Sequence, residues 1–128
     1  MPKDRRCVKS KWVFKLKRNG VFRARIVACG YSQIPGVDFE ESYSPVMNDI
    51  TLRILLVIWI VMTLKAIIAD VENAFLYGKT REKVFTVAGP EFGPELAGKR
   101  LIIDKALYGL KSSSARFYEH LSVRLRKL

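Results

Sequence analysis

Asn19-Gly20 separates two runs of alternating apolar residues, and this pattern restricts the N-terminal part of the chain to a β-hairpin. Apolar side chains stand at Trp12, Phe14 and Leu16 before the pair, and at every second position from Phe22 after it. Period-two patterning around Asn-Gly predicts two antiparallel strands and a type I′ turn, because both turn residues tolerate a positive φ. One face of the hairpin is expected to pack, and the other carries four cations: Lys15, Lys17, Arg23 and Arg25.

The segments after residue 45 predict short strands and two helices. Asn48-Asp49 can cap a helix that runs to about residue 64, and because its apolar residues lie on every side we expect it to be buried. Residues 66–71, 83–87 and 100–103 read as strands, and residues 73–77 as one turn of helix. A last helix follows the serines at 112–114, which can cap it. Its apolar stripe is Phe117, Leu121, Leu125 and Leu128.

Charge is distributed in three blocks along the 128 residues. The formal net charge is +11, with +9 in residues 1–30, −4 in residues 31–98 and +6 in residues 99–128. Two basic flanks around a weakly acidic centre suit a polyanion held by the flanks and a cation held at the centre. Nucleic acid is therefore the expected partner, and a basic surface without any ligand is the alternative.

Cysteine and histidine usage excludes several classes of site. Cys7 and Cys29 lack metal-ligand spacing, and His120 is the one histidine, so zinc binding and Cys-His catalysis are not expected. Free thiols indicate a reducing, intracellular compartment. The N-terminus lacks the apolar core of a signal peptide, and the apolar stretch at 54–62 is too short for the roughly 20 residues that cross a bilayer. No membrane partner is expected.

Asp70 follows the apolar run at 66–69, near the end of the predicted strand at 66–71, and is followed five residues later by Phe75. A carboxylate at a rigid strand end can hold a metal ion beside an aromatic wall for a substrate. The alternative is a helix N-cap, in which the same oxygen accepts hydrogen bonds from backbone N–H groups.

Four blocks occur in an order that resembles the copia-type retrotransposon reverse transcriptase. They are Lys11-Trp-Val-Phe-Lys-Leu-Lys17, Asp38-Phe-Glu-Glu-Ser-Tyr-Ser-Pro45, Asp70-Val-Glu-Asn-Ala-Phe-Leu-Tyr-Gly78 and Ala106-Leu-Tyr-Gly-Leu-Lys111. The resemblance covers nearly the whole chain and implies an α+β fold, with a fingers β-hairpin and a partial palm built from an antiparallel sheet with packed helices. Residues 1–45 would be fingers-like and residues 46–128 a partial palm in one incomplete domain.

The same resemblance assigns roles to individual residues. Asp70 matches the first catalytic carboxylate, which binds two Mg²⁺ ions with the backbone carbonyl of Val71 as a further ligand. Phe75 matches the aromatic that selects deoxyribonucleotides by abutting the sugar. The remaining assignments are nucleotide binding for Arg23, Arg25 and Lys111, and template or primer binding for Lys15, Lys17 and Gly109.

The chain departs from the family pattern at several places. Ser112 stands where the family has Gln, Ser114-Ala115 replace an Ala/Pro-Arg pair, and Gly89-Pro-Glu-Phe92 replaces Pro-Glu-Gly-Phe. The Asp-Asp block with the other metal-binding carboxylates would follow residue 128. We therefore expect a reverse-transcriptase segment, an RNA-directed DNA polymerase by ancestry, that is inactive as this chain.

The expected partners are an RNA template, a DNA primer and deoxynucleoside triphosphates, together with missing polymerase segments or a second copy. The expected location is the cytoplasm, in a retrotransposon particle, or the nucleus. Two other functions remain open. One is a non-catalytic, basic nucleic-acid-binding module derived from a transposon, and the other is an interaction or membrane-surface protein built on the apolar helix.

Overall fold

The computed structural model describes residues 6–128. Its strands are β1 (Ser10–Leu16), β2 (Phe22–Ala28), β3 (Lys79–Val87) and β4 (Arg100–Lys105), and its α-helices are α1 (Asp49–Val61) and α2 (Ser113–Leu125). Single-turn 3₁₀ helices span Gly30–Ser32, Ala74–Tyr77 and Pro90–Phe92. Over these residues β1 pairs with β2 and β3 with β4, both antiparallel, which confirms the α+β class.

The first hairpin has the predicted strands but not the predicted turn. Trp12 pairs with Ile26 on one face, and Lys15 pairs with Arg23 on the other. The last strand pair is Leu16 with Phe22, so five residues form the loop. Gly20 has a φ of +80° and its N–H donates to the Lys17 carbonyl at 3.0 Å. The predicted type I′ turn is wrong for two reasons. Asn19 keeps a negative φ, and the loop has five residues, whereas this turn joins two strands through two residues.

The core lies where the two hairpins meet. The Val8 N–H donates to the Phe85 carbonyl at 2.7 Å, and the Cys29 N–H donates to the Lys9 carbonyl at 2.7 Å. These bonds tie residues 7–9 to β3 on one side and to the end of β2 on the other. The buried apolar cluster is small, and consists of Val8, Ala28, Val84, Ile103 and Leu110, with Leu107 packed against it.

The outer half of the first hairpin is uncovered. Its apolar face is exposed at Phe14 (75%) and Phe22 (84%), and burial begins only at Ala28. The expectation that this whole face packs is therefore wrong for the residues described, because the core lies at the base of the hairpin and nothing in residues 6–128 covers its tip.

Helix α1 begins as predicted but is not buried. The Asn48 side chain accepts a hydrogen bond from the Ile50 N–H at 2.9 Å, and the helix ends at Val61, with Met62 as C-cap. Every residue of α1 is exposed. The predicted burial is wrong because an all-round apolar helix needs a surrounding apolar surface, and within residues 6–128 the other elements form their core elsewhere.

The predicted strand at 66–71 does not form. These residues have no ladder partner in the described part of the chain, and Ile67 and Ile68 are 93% and 100% exposed. A β-strand requires a hydrogen-bonding neighbour, and both sheets stop at two strands within residues 6–128. The predicted turn of helix after it is confirmed as the 3₁₀ helix Ala74–Tyr77.

Helix α2 is confirmed, although its N-terminal half carries most of the burial. Ala115 and Arg116 are buried, whereas Leu125 and Leu128 of the predicted apolar stripe are exposed. Ser112 is the N-cap residue but its side chain makes no capping hydrogen bond, so the predicted serine cap is wrong at this position. None of the described helices is both long and apolar enough to cross a membrane.

Candidate nucleotide and nucleic-acid site

Tyr108 is the residue at which two predicted nucleotide-binding side chains meet. The Arg25 guanidinium carbon lies 4.8 Å from the centroid of the Tyr108 ring. The Phe75 ring packs on the same tyrosine, with centroids 4.7 Å apart and planes tilted by 52°. Phe117 of α2 contacts Phe75 edge-on at 6.3 Å. The structure thus brings Arg25 from β2, Phe75 from the 3₁₀ helix and Tyr108 into one cluster.

Close backbone contact holds this cluster together. The Ala28 N–H donates to the Tyr108 carbonyl at 2.8 Å, which fixes the segment 106–111 to the end of β2. Gly109 has a φ of +90°, and a Cβ placed on it would lie 2.0 Å from the Ala28 carbonyl oxygen. Only glycine fits such a position. The predicted close approach at Gly109 is thus present in the structure, and its partner is the hairpin backbone.

A cleft of about 220 Å³ opens between the hairpin and the Asp70 block. It is lined by Trp12 and Arg25 from the hairpin, Asn73 and Leu76 from the segment after Asp70, and Tyr108. The Nε of Arg25 is buried and has no hydrogen-bond partner in the described residues. A guanidinium beside aromatic faces can pair with phosphate oxygens while a planar group stacks on the rings. The cleft thus combines a cation that can bind phosphate oxygens with aromatic faces that can contact a planar group.

The other predicted cations do not line this cleft. Arg23 is half-buried opposite the exposed Lys15, and Lys17 is exposed in the turn. The Lys111 side chain is exposed, while its backbone N–H donates to the Gln33 Oε1 at 2.8 Å.

Gln33 itself is buried and ties Lys111 to the loop after β2. The Gln33 Nε2 donates to the Asp38 carbonyl at 3.5 Å, and the buried Asp38 carboxylate accepts from the Ile34 N–H at 2.9 Å. These bonds hold the backbone of the block that contains Tyr108 and Lys111.

Asp70 and Val71 lie in an exposed segment without regular secondary structure, before Ala74–Tyr77. Asp70 is not a helix cap, because the N-cap position of that 3₁₀ helix is Asn73. Across residues 6–128 no group of three or more His, Cys, Asp or Glu side chains is placed to hold a metal ion. The described residues do not fit a two-magnesium site by themselves, and no chemical step is derived through one.

Tyr108 is the functional candidate that the sequence reasoning missed. In the same block the sequence assigned roles to Gly109 and Lys111, although an aromatic residue beside a glycine that allows close backbone approach is well placed to face a cleft. A cation on the adjacent strand, such as Arg25, strengthens that signal because arginine stacks readily on aromatic faces.

Comparison with known proteins identifies the family of the chain. The profile described as "Reverse transcriptase (RNA-dependent DNA polymerase)" matches residues 1–128. The chain therefore belongs to the reverse transcriptase family, and the resemblance stated from its sequence blocks is confirmed. No solved structure matches the chain.

The relatives are polyproteins of plant retrotransposons. The chain is 38% identical over 126 residues to the "Retrovirus-related Pol polyprotein from transposon TNT 1-94" of Nicotiana tabacum, covering 92% of this chain and 9% of the relative. It is 35% identical over 120 residues to the "Retrovirus-related Pol polyprotein from transposon RE1" of Arabidopsis thaliana, covering 87% of this chain and 8% of the relative. The chain thus corresponds to a short segment of a retrotransposon reverse transcriptase.

Proposed function

We propose that this chain forms the nucleotide-facing part of a retrotransposon reverse transcriptase, with residues 1–45 as its fingers and residues 46–128 as part of its palm. One observation carries the proposal: Arg25 and Phe75, which come from separate sequence blocks, both contact the Tyr108 ring. A cation that binds phosphate oxygens, placed beside aromatic rings, suits a fingers hairpin that closes over a nucleotide.

The proposal gives each side chain a role. Arg25 binds the triphosphate, because a guanidinium pairs with phosphate oxygens in a bidentate manner, and Arg23 and Lys111 add positive charge at the edge of the cleft. Tyr108 offers a face for the base, and Phe75 limits the space at the sugar so that a 2′-hydroxyl is disfavoured. Lys15 and Lys17 contact template or primer phosphates, while Gly109 keeps the segment against the hairpin.

We assign divalent metal ions to this site only because the chain belongs to the reverse transcriptase family. Members of the family use divalent ions, and Asp70 with the Val71 carbonyl is the contribution we assign to this chain. The two-metal chemistry would activate the primer hydroxyl when the ions are bound. No catalytic step is assigned to the described residues on their own.

Trp12 provides a direct test of the cleft, because it lines the cleft and one other tryptophan, Trp59, is present. In a Trp59→Phe background, energy transfer from Trp12 to a fluorescent N-methylanthraniloyl-dATP, labelled on its 3′-oxygen, reports binding at the cleft. Unlabelled dATP should displace the probe more effectively than ATP. Arg25→Gln should weaken binding by about tenfold, the loss expected for charge-assisted hydrogen bonds.

Arg18→Gln is the matched control, because it removes the same charge from the hairpin turn, away from Tyr108. Equal weakening by Arg18→Gln and Arg25→Gln would count against the pocket, since it would indicate only a general charge effect. Absence of nucleotide binding together with salt-dependent oligonucleotide binding would favour the alternative, a non-catalytic nucleic-acid-binding module.

A further inference from the structure

We propose that a second surface of this chain binds single-stranded nucleic acid, separately from the nucleotide cleft. This surface, the α2 groove, is a cavity of about 570 Å³ between the 3₁₀ helix Ala74–Tyr77, the start of β3 and helix α2. Its defining residues are Tyr77, Lys79, Arg81, His120, Arg124 and Lys127. The volume falls within the range of about 300–1,000 Å³ that is usual for ligand clefts.

Positive charge dominates the groove. Its lining contains five cationic side chains, with Arg116 as the fifth, and one carboxylate, Glu119. Arg81 and Arg116 are engaged in ion pairs, so the positive charge available to a ligand comes from Lys79, Arg124 and Lys127.

A buried ion-pair network leaves several of these cations available to a ligand. The Arg116 side chain is 2% exposed, and its Nη1 lies 2.9 Å from both carboxylate oxygens of Glu119. Arg81 pairs with the same Glu119 at 2.8 Å. Arg116 also pairs with Glu82, at 3.3 Å, so the two arginines and two carboxylates of this network cancel, and the network itself neither attracts nor repels an anion strongly. Within residues 6–128, Lys79, Arg124 and Lys127 form no ion pair.

Helix electrostatics explain part of this charge but not all of it. Cations near the C-terminus of α2, such as Arg124 and Lys127, are favoured by the helix dipole whether or not a ligand binds. Arg81 faces the cavity because it pairs with Glu119. Lys79 belongs to β3, so neither the helix dipole nor an ion pair within residues 6–128 accounts for its place in the groove. The convergence of Lys79 from the strand with Arg124 of α2 and Lys127 just after that helix points to an anionic ligand.

An aromatic pair favours an unpaired strand over an isolated phosphate or a duplex. The Tyr77 and His120 rings lie 5.9 Å apart, with planes inclined by 34°, and Tyr77 is 56% exposed. Bases of a single strand stack on exposed aromatic rings, whereas the bases of a duplex are already stacked on one another. Basic side chains that follow the backbone and an aromatic that accepts a base are the two parts of a single-strand site.

The α2 groove is distinct from the nucleotide cleft. None of the residues that line it also lines the cleft between the hairpin and Tyr108. The same 3₁₀ helix serves both surfaces, because Phe75 packs against Tyr108 while Tyr77 lies against His120. The groove can therefore be tested without altering Arg25, Phe75 or Tyr108.

The first test measures the affinity of the 128-residue chain for a fluorescein-labelled 20-nucleotide oligo-dT by anisotropy over a range of salt concentrations. The double variant Arg124→Gln/Lys127→Gln should bind about tenfold more weakly at about 0.1 M salt, and its plot of log K against log salt should be shallower by about 1.4. Lys65→Gln/Lys99→Gln removes two charges from exposed positions outside the groove and is the matched control. Equal behaviour of the two variants would overturn the proposal.

The second test addresses stacking. Tyr77→Leu should weaken oligo-dT binding by about fivefold or more, whereas Tyr77→Phe should retain it, because a phenylalanine ring still stacks. An oligonucleotide that contains 4-thiothymidine should crosslink to peptides with Tyr77 or His120. Crosslinks confined to the first hairpin, or equal affinity for duplex and single strand with no effect of Tyr77→Leu, would refute a single-strand site. Displacement by millimolar inorganic phosphate would show that the groove takes a lone phosphate instead.

Discussion

Gly109 joins the first hairpin to the segment that carries Tyr108, and its conformation is the most demanding in the candidate site. A side chain there would meet both a left-handed backbone and the Ala28 carbonyl. Gly109→Ala should lower the free energy of unfolding by about 3 kcal/mol, because strain at a positive φ and a backbone overlap act together. Chemical denaturation followed by circular dichroism measures this change.

Gly20 is a natural control for that prediction. Its φ is +80° and a Cβ there would meet nothing within 4 Å, so Gly20→Ala carries the strain of a positive φ without the overlap and should cost about 1 kcal/mol. Equal losses at the two glycines would mean that the hairpin and segment 106–111 do not approach each other as described.

Arg116 is a second residue whose role depends on its surroundings. Its Nη2 lies 3.3 Å from Glu82, whose side chain is 10% exposed. Arg116→Met would leave that carboxylate without its partner and should destabilise the fold by about 3 kcal/mol, since removing one member of a buried pair is costly. Arg81, which is 67% exposed, is the comparison: Arg81→Met should cost less than about 1 kcal/mol. Similar losses at both positions in thermal denaturation would contradict the network.

At the scale of elements, local signals in the sequence predicted which segments form strands and helices. Alternation identified β1 and β2, Asn48 identified the start of α1, and the stripe through Phe117 identified α2. Each of these signals depends only on residues close together in the sequence, so it can be recognised without knowledge of the fold. The same kind of reasoning located Arg25 and Phe75 as candidates, through the resemblance of their blocks to a family.

Burial and long-range pairing were not predictable in this way. The strand at 66–71 and the buried state of α1 both depend on partner surfaces that residues 6–128 do not provide. The Arg25–Tyr108 contact depends on the Ala28–Tyr108 hydrogen bond, which joins positions 80 residues apart. Arg116 was missed for a similar reason, because Glu82 lies on β3 and the pattern of α2 alone gives no sign of it.

Exposed helix α1 leads to a prediction about association. Ile54, Val57 and Ile60 are 54%, 59% and 70% exposed, so the helix presents a large apolar surface of a kind that promotes contact between molecules. The double variant Val57→Lys/Ile60→Lys should reduce self-association in sedimentation velocity and reduce binding of 1-anilinonaphthalene-8-sulfonate. Val46→Lys, at a position 87% exposed outside α1, should have little effect.

Two results would contradict the prediction that α1 mediates self-association. A chain that is monomeric before substitution, and that binds no dye, would show that the apolar helix is covered in solution. Unchanged association in the double variant would place the contact elsewhere, for example at the exposed Phe14 and Phe22 of the hairpin.

At the scale of the whole molecule, the small core limits stability. Five buried apolar residues form the central cluster, and both sheets of the described region have open edges. We predict a broad, low-temperature unfolding transition or association in calorimetry. A sharp, concentration-independent transition of a monomer would contradict this expectation.

Like stability, polymerase activity depends on the whole molecule. The 128 residues contain no adjacent pair of aspartates, and the described part assembles no metal-binding cluster. We predict no primer extension by this chain with Mg²⁺, an RNA template and a DNA primer. Nucleotide incorporation that disappears in Asp70→Asn would show that the chain polymerises DNA by itself.

Photolabelling with 8-azido-dATP tests the central claim, that Arg25 and Tyr108, with Phe75 packed on Tyr108, form a nucleotide pocket. After irradiation and proteolysis, mass spectrometry should find the label on peptides that contain Trp12, Phe75 or Tyr108, and excess dATP or the variant Arg25→Gln should remove it. Labelling confined to the Tyr77–His120 groove, or scattered labelling that dATP does not compete, would contradict the account.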